Sequence, residues 1–490
     1  MKMKKNLKYF SILLVALITV SCSDSYLDVN TDTNSPTIAV LTPDLVLPVA
    51  QYWTAEIQHR DRYTNTLGNM FMVNWSQSDG FSWYNDEFLY NVTSSFYQII
   101  WDRTYINALK QYRVLQSFEG EEYDNYKAIG KIMESYHFQI LTDIYGDIPY
   151  SEAVLRGENP TPKYDDAKAV YAGIINELNA AMAMIDAADE NDLVPGADDI
   201  SFGGDMDMWK KFANTIKLRV LVRQEGDGAL NSEFATLASV GFIESDVTVN
   251  PGYAQLDNQQ SPFWNGYGFN SAGQVINNND ATCATPYALD FLDSNNDNRI
   301  DFIYEEPATG HLGVVQGLLL YDEPIADQFD PEFVSNIGPG LLKSAEQDAV
   351  IFAAADSYFL QAEAIFKSYL TGSAKDAYES GIKASFDYLG APGAAAYIAQ
   401  VRPNVNWDAS TNKMEAIITQ KWVALNGIDA IQSWFDYTRT GYPSNLPVSL
   451  LASTPDRPVR LAYPSSEVTA NSINLPASSN VFTDKIFWAN

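Results

Sequence analysis

Residues 129–149 read Ile129-Gly130-Lys131-Ile132-Met133-Glu134-Ser135-Tyr136-His137-Phe138-Gln139-Ile140-Leu141-Thr142-Asp143-Ile144-Tyr145-Gly146-Asp147-Ile148-Pro149. Ile129, Ile132, Met133, Tyr136, Ile140, Leu141 and Ile144 recur at spacings of three and four, which puts them on one face of an α-helix. Gly146 and Pro149 predict its end. The same period returns in Val170, Ile174, Leu178 and Ile185, in Trp209, Phe212, Ala213, Ile216 and Val220, and in Met414, Ile417, Ile418, Trp422 and Leu425. Between residues 348 and 389 two helical stretches flank Thr371-Gly372-Ser373, and Tyr378, Ile382, Phe386 and Leu389 share one face of the second. That is a helical hairpin of tetratricopeptide size. Such pairs pack small residues of one helix against bulky ones of the other, a use that Ala362, Ala364, Tyr378 and Ala384 suit; the partial match predicts degenerate repeats. The expected fold class is mainly α: a scaffold of tetratricopeptide-like helical pairs with a large irregular, loop-rich region and few short strands.

The irregular region is residues 241–340, rich in Asn, Gly, Gln and aromatics and weakly periodic. Long irregular segments on a rigid scaffold are where ligands are usually met, so this is the expected ligand side. At the other end, Lys2, Lys4, Lys5 and Lys8 precede the apolar run Ile12 to Val20, which predicts a signal peptide over residues 1–21. The run is shorter than the roughly 20 residues a membrane-spanning helix needs. Thr19-Val20-Ser21-Cys22 resembles a lipobox with Thr19 where Leu is usual, so Cys22 is the expected lipid-bearing first residue; the alternative is an ordinary secretory signal with an incidental cysteine. Residues 22–43, rich in Ser, Asp, Asn and Thr, read as an extended tether to a single domain that fills the rest of 22–490.

The chain has 46% hydrophobic and 13% aromatic residues, enough for a large core, and that core must carry stability because Cys283 is the one cysteine besides Cys22. Its formal charge of −31, more negative once the four lysines of the signal are removed, disfavours nucleic acid and anionic lipid surfaces as partners.

No catalytic signature emerges. The three histidines, His59, His137 and His311, have no zinc-ligand spacing, and no nucleophile elbow or phosphate-binding Gly-rich loop is present. His137 reads as a satisfied core histidine. Carboxylate pairs for glycoside hydrolysis exist by chance among 62 acids, without a local constellation. Asp293, Asn295, Asp297 and Asp301 place oxygen ligands as a calcium loop does, although Asn298 stands where Gly belongs and Tyr304 where the bidentate Glu belongs; the other reading is an Asx-rich turn. No other cofactor is expected.

The remaining signal is a mixture of rings and amides. Asn74-Trp75-Ser76-Gln77-Ser78-Asp79-Gly80-Phe81-Ser82-Trp83-Tyr84-Asn85 is one such run, and Trp264, Tyr267, Phe269 and Asn270 form another. The apolar face of a pyranose stacks on a flat ring while amides and carboxylates bind its hydroxyls. Trp75, Trp83, Tyr84, Trp264, Tyr267 and Asn270 are therefore candidate ligand residues, against the alternative that the tryptophans are core aromatics.

Several longer segments carry a family resemblance. They are Leu27-Asp28-Val29-Asn30-Thr31-Asp32-Thr33-Asn34, Asp143-Ile144-Tyr145-Gly146-Asp147-Ile148-Pro149-Tyr150, Thr161-Pro162-Lys163-Tyr164-Asp165 and Trp209-Lys210-Lys211-Phe212-Ala213-Asn214-Thr215-Ile216-Lys217-Leu218-Arg219. Ala362-Glu363-Ala364, Ile418-Thr419-Gln420-Lys421-Trp422, Asp436-Tyr437-Thr438-Arg439-Thr440-Gly441-Tyr442-Pro443 and Arg460-Leu461-Ala462-Tyr463-Pro464 continue it. With these the chain resembles the SusD/RagB-like outer-membrane nutrient-binding lipoproteins of Bacteroidetes, in their SusD-like branch. The resemblance implies a lipid-anchored, outward-facing outer-membrane protein that binds oligosaccharide without cleaving it and delivers it to a SusC-like TonB-dependent transporter. The motifs near Tyr145 and Trp422 are read as packing residues. The alternatives are the same transport role for peptides, a glycoside hydrolase, or a scaffold without a ligand.

Overall fold

The chain enters its fold through α1 (Pro43–His59) and α2 (Thr64–Phe71), followed by the short strand β1 (Trp75–Gln77). This computed structural model describes residues 41–155, 159–321 and 328–489; the expected signal peptide, Cys22 and the tether as far as residue 40 lie outside them. Pro43–Asn490 forms one compact unit. Among the described residues no helix is long and apolar enough to cross a membrane.

The 129–149 stretch lies in α3 (Asp124–Tyr145), where the periodic residues are buried and Gly146, at φ +83°, ends the helix with its N–H on Thr142 O. Next come α4 (Ala167–Ala187), which packs on α3, and α5 (Met206–Arg223), which packs on both. Their starts are capped by side chains: Asp166 accepts from Lys168 N and Ala169 N, and Asp205 from Met208 N. Each such cap stabilises its helix by about 1 kcal/mol.

The region 241–340 is broken into short pieces: β2 (Val247–Val249), α6 (Pro262–Tyr267), β3 (Thr282–Ala284), the nine-residue helix Pro286–Ser294 and helices of a single turn. β1 pairs antiparallel with β3, with Trp75 opposite Ala284 and Gln77 opposite Thr282. β2 pairs antiparallel with β4 (Ala349–Phe352), with Val247 opposite Phe352 and an irregularity after that pair.

The predicted hairpin is α7 (Ala354–Phe366) and α8 (Ala374–Leu389). Its first helix starts later than residue 348, because Val350-Ile351-Phe352, β-branched and aromatic, joins β2 as strand. Asp246 Oδ1 then takes the free Ala354 N–H at 2.7 Å. Ala362, Ala364 and Tyr378 are buried as expected of repeat positions, and Ala384 packs against the same cluster. At Gly381 a Cβ would stand 2.8 Å from the Phe359 ring, so glycine is what admits that ring between the two helices. The scaffold closes with α9 (Lys413–Leu425), which packs on α7 and α8, and α10 (Ala430–Thr440), which packs on α2.

These helices also share buried charges. Lys421 Nζ on α9 lies 2.6 Å from Asp356 Oδ1 on α7 and 2.8 Å from Asp436 Oδ2 on α10. Arg439 meets Glu363 through both terminal nitrogens, at 2.6 and 2.9 Å, and Arg223 on α5 pairs with Asp143 on α3. At Asp356 the contacts are ion pairs by distance and not aligned hydrogen bonds. Burial by itself would raise the Asp436 carboxyl; Lys421, Arg439 and Arg223 instead hold it well below the usual carboxylate range. Asp429 shows the other outcome: burial outweighs the nearby Arg219 and pushes it up to about 7. Tyr145 and Trp422 are buried, in keeping with a packing role, and Trp422 Nε1 donates to Met72 O at 3.1 Å.

Candidate ligand-binding site

Three of the candidate rings are interior. Trp75 is 0% exposed and packs against Tyr267, ring centroids 5.1 Å apart, and against Phe263. Tyr267 gives its hydroxyl to a bond with Thr66 Oγ1, 2.5 Å, and lies 3.2 Å from Asp61 Oδ1. Tyr84 is buried with its hydroxyl 2.8 Å from Thr282 Oγ1. This corrects the reading of Trp75, Tyr84 and Tyr267 as ligand rings. All of β1 is buried where it pairs with β3, and the rings around it fill core. Asn270 is corrected as well: its Oδ1 accepts from Ala272 N and Gln274 N, and its Nδ2 donates to Gln274 Oε1, so its amide closes its own turn.

Trp83 and Trp264 remain half-buried. They belong to separate pairs, Trp83 edge-on to Phe81 at 5.2 Å and Trp264 against Phe269 at 5.2 Å.

The turn that carries Phe81 and Trp83 is held firmly. Gln77, itself buried, donates from Nε2 to Phe81 O at 2.5 Å, and its Oε1 accepts from Trp83 N at 2.7 Å. Gly80 supplies the positive φ, +82°, that reverses the chain. Before the turn, Ser78 N donates to Ala281 O and Asp79 N to Phe329 O. After it, Arg62 Nη2 donates to Trp83 O at 2.5 Å. Fixed at both ends, the turn holds its half-buried rings in place before any ligand arrives.

Charge sits beside them. The Arg62 side chain is 45% exposed, lies 3.9 Å from Asp61 and 3.4 Å from Glu87, and its guanidinium stands 5.6 Å from the Tyr84 ring centre. Burial raises the Asp61 carboxyl, against the pull of Arg62. Glu87 is buried with one oxygen accepting from Tyr97 at 2.9 Å, and burial pushes it up to about 7 in spite of Arg62. Arg62, Glu87 and Tyr97 line a cavity of about 210 Å³. Asp61 and Arg62 were not among the sequence candidates; the signal was Arg60-Asp61-Arg62, a charged run placed directly after α1. A larger cavity of about 500 Å³, lined by Glu244, Asp246, Tyr358, Lys383 and Tyr388, lies on the scaffold. There Lys343 Nζ already covers the Tyr388 ring at 3.7 Å, so ring stacking favours the Trp83 turn.

The calcium loop is corrected too. Asp297 is buried and bound by Arg299, whose Nε and Nη2 lie 3.0 and 2.6 Å from its two oxygens. Asn295 turns its amide to Phe291 O at 2.7 Å, and Asp293 sits in the helix Pro286–Ser294. A guanidinium from the loop itself supplies the positive charge, while Asp301 faces His311 at 3.0 Å.

No curated protein matches the chain's sequence. Solved structures do. A chitin-binding protein shares 24% identity over 92% of this chain and 100% of its own, with a TM-score of 0.74. A SusD homolog from Bacteroides uniformis shares 23% over 91% and 99%, TM-score 0.73, and a chitin-binding SusD homolog from Flavobacterium johnsoniae 22% over 92% and 96%, TM-score 0.72. These likenesses establish the fold. A SusD-like family profile, described as starch-binding and associating with the outer membrane, matches residues 34–464. The chain therefore belongs to the SusD-like family of outer-membrane-associated nutrient-binding proteins.

Proposed function

We propose that this protein captures oligosaccharide at the cell surface and delivers it to a SusC-like TonB-dependent transporter, held beside it by lipid on Cys22. The observation that carries this reading is the half-buried Phe81–Trp83 pair on a rigid turn, with Arg62 bonded to the Trp83 carbonyl and Asp61 beside Arg62, in a chain whose family is described as starch-binding. An aromatic ring face offers stacking to a pyranose, and the guanidinium and carboxylate together offer donors and acceptors to its hydroxyls. Binding without cleavage suits such a surface. A lipid tether keeps the protein at high effective concentration near its transporter while leaving it free to swing.

Trp83→Ala and Phe81→Ala, titrated calorimetrically with soluble starch fragments and chitin oligosaccharides, are expected to weaken binding by about tenfold or more. Unchanged affinity for every glycan, with a peptide mixture still captured, would turn the reading to peptides. Release of reducing ends on prolonged incubation would make the protein a hydrolase. Protease treatment of intact cells tests the placement: the chain is expected to be cut, and protection would put it in the periplasm.

A further inference from the structure

The residue that left the calcium reading has other neighbours. Asp301 lies in the short helix Ile300–Ile303, and its Oδ1 stands 3.0 Å from His311 Nε2. Glu306 completes a trio in which one carboxylate oxygen from each acid and one imidazole nitrogen lie within 4.8 Å of one another. The backbone that presents them is clamped on both sides. Tyr304 forms a bridge with Ile337, Glu305 N donates to Asn336 O at 2.8 Å, and Gly310 N closes a turn on Pro307 O. On the return, Ser335 N donates to Leu312 O at 2.8 Å.

His311 is also oriented from behind. Its Nδ1 lies 2.9 Å from Ser335 Oγ, which accepts from Leu312 N at 3.1 Å, and Ser335 is fully buried. A partner on the far ring nitrogen that sets tautomer and ring plane is the support metal-binding histidines have. The Asp301 side chain is 58% exposed, so the trio opens to solvent and leaves room for water in further coordination positions.

We propose that Asp301, Glu306 and His311 form a divalent-metal site suited to zinc. One nitrogen and two carboxylate oxygens match its ligand preferences, whereas calcium asks for six to eight oxygens. Ligand atoms around one tetrahedral zinc stand about 3.3 Å apart. The Asp301–His311 pair is already near that spacing, and the exposed Glu306 closes the remainder by a side-chain rotation. Bound metal would tie the excursion 304–312 to the helix before it.

The chain is well arranged for the test, because its other two histidines, His59 and His137, are buried and hydrogen-bonded inside the fold. Zinc chloride titrated calorimetrically into the full folded chain is expected to bind at one equivalent. His311→Ala should weaken that binding by about tenfold or more, Asp301→Asn and Glu306→Gln by less, with each variant still folded, by circular dichroism, in the absence of metal. Cobalt(II) should give a visible spectrum that His311→Ala abolishes. Absence of a saturable one-equivalent zinc site overturns the proposal, as does zinc binding undiminished in His311→Ala. Calcium binding as tightly as zinc overturns it too, since that marks a carboxylate site in which the imidazole has no part.

Discussion

Charged groups in the helical scaffold and around the Trp83 turn are of the same kinds, yet they are closed off in one place and left open in the other. On α7, α9 and α10, Lys421, Asp356, Asp436, Glu363 and Arg439 pair with one another as buried ions, none more than 7% exposed. Around the turn, Arg62 keeps 45% of its side chain in solvent and Asp61 keeps 26%. The rings divide in the same way: Trp75 is sealed in the core, and Trp83, eight residues on, is half free. The scaffold spends its polar groups on joining helices; the loop side keeps unspent donors and acceptors that a ligand can use.

Removing one partner of the closed set is the strongest way to break this contrast. Lys421→Met leaves Asp356 and Asp436 without their shared cation, and a loss of about 3–5 kcal/mol in urea unfolding is expected. A loss under about 1 kcal/mol would show that the buried set is not closed. Trp75→Ala should cost about 3 kcal/mol or more, for the ring is wholly enclosed.

Glu87, buried at the border between the two regions, sharpens the comparison through pH. Its carboxyl is raised from 4.5 to about 7, chiefly by burial, so the folded chain holds a proton there that the unfolded chain has released. The stability that the neutral form contributes is complete below about 4.5 and is lost as pH rises through about 7. Measured against Glu87→Gln, the native chain should therefore lose up to about 3 kcal/mol between pH 4.5 and 8. A pH-independent difference would mean that Arg62 compensates the charge fully. Smallest of all should be the effect of Trp83→Ala on stability, about 1 kcal/mol or less, with its consequence seen in ligand binding instead.

The segments that carried the family resemblance turn out to hold most of the buried ion set, Asp356 and Arg223 lying outside them. Arg219, Glu363, Lys421, Asp436 and Arg439 all fall within them. Reading these stretches as packing was right for Tyr145 and Trp422 and incomplete for their charged neighbours. A lysine immediately before a core tryptophan carries no mark in the sequence of whether it faces water or two carboxylates on other helices.

Helix positions, the glycine stop at residue 146, the α7–α8 hairpin and the broken character of 241–340 were legible in the chain because they follow from periods and turn residues a few positions apart. Burial of Trp75, Tyr84 and Tyr267, the strand at Ala349–Phe352, the claim of Arg299 on Asp297 and the meeting of Arg62 with Trp83 were not. Each depends on which surfaces come together from distant parts of the chain. A ring or a carboxylate has the same local sequence whether its neighbour is water or another side chain, and only tertiary packing chooses between them.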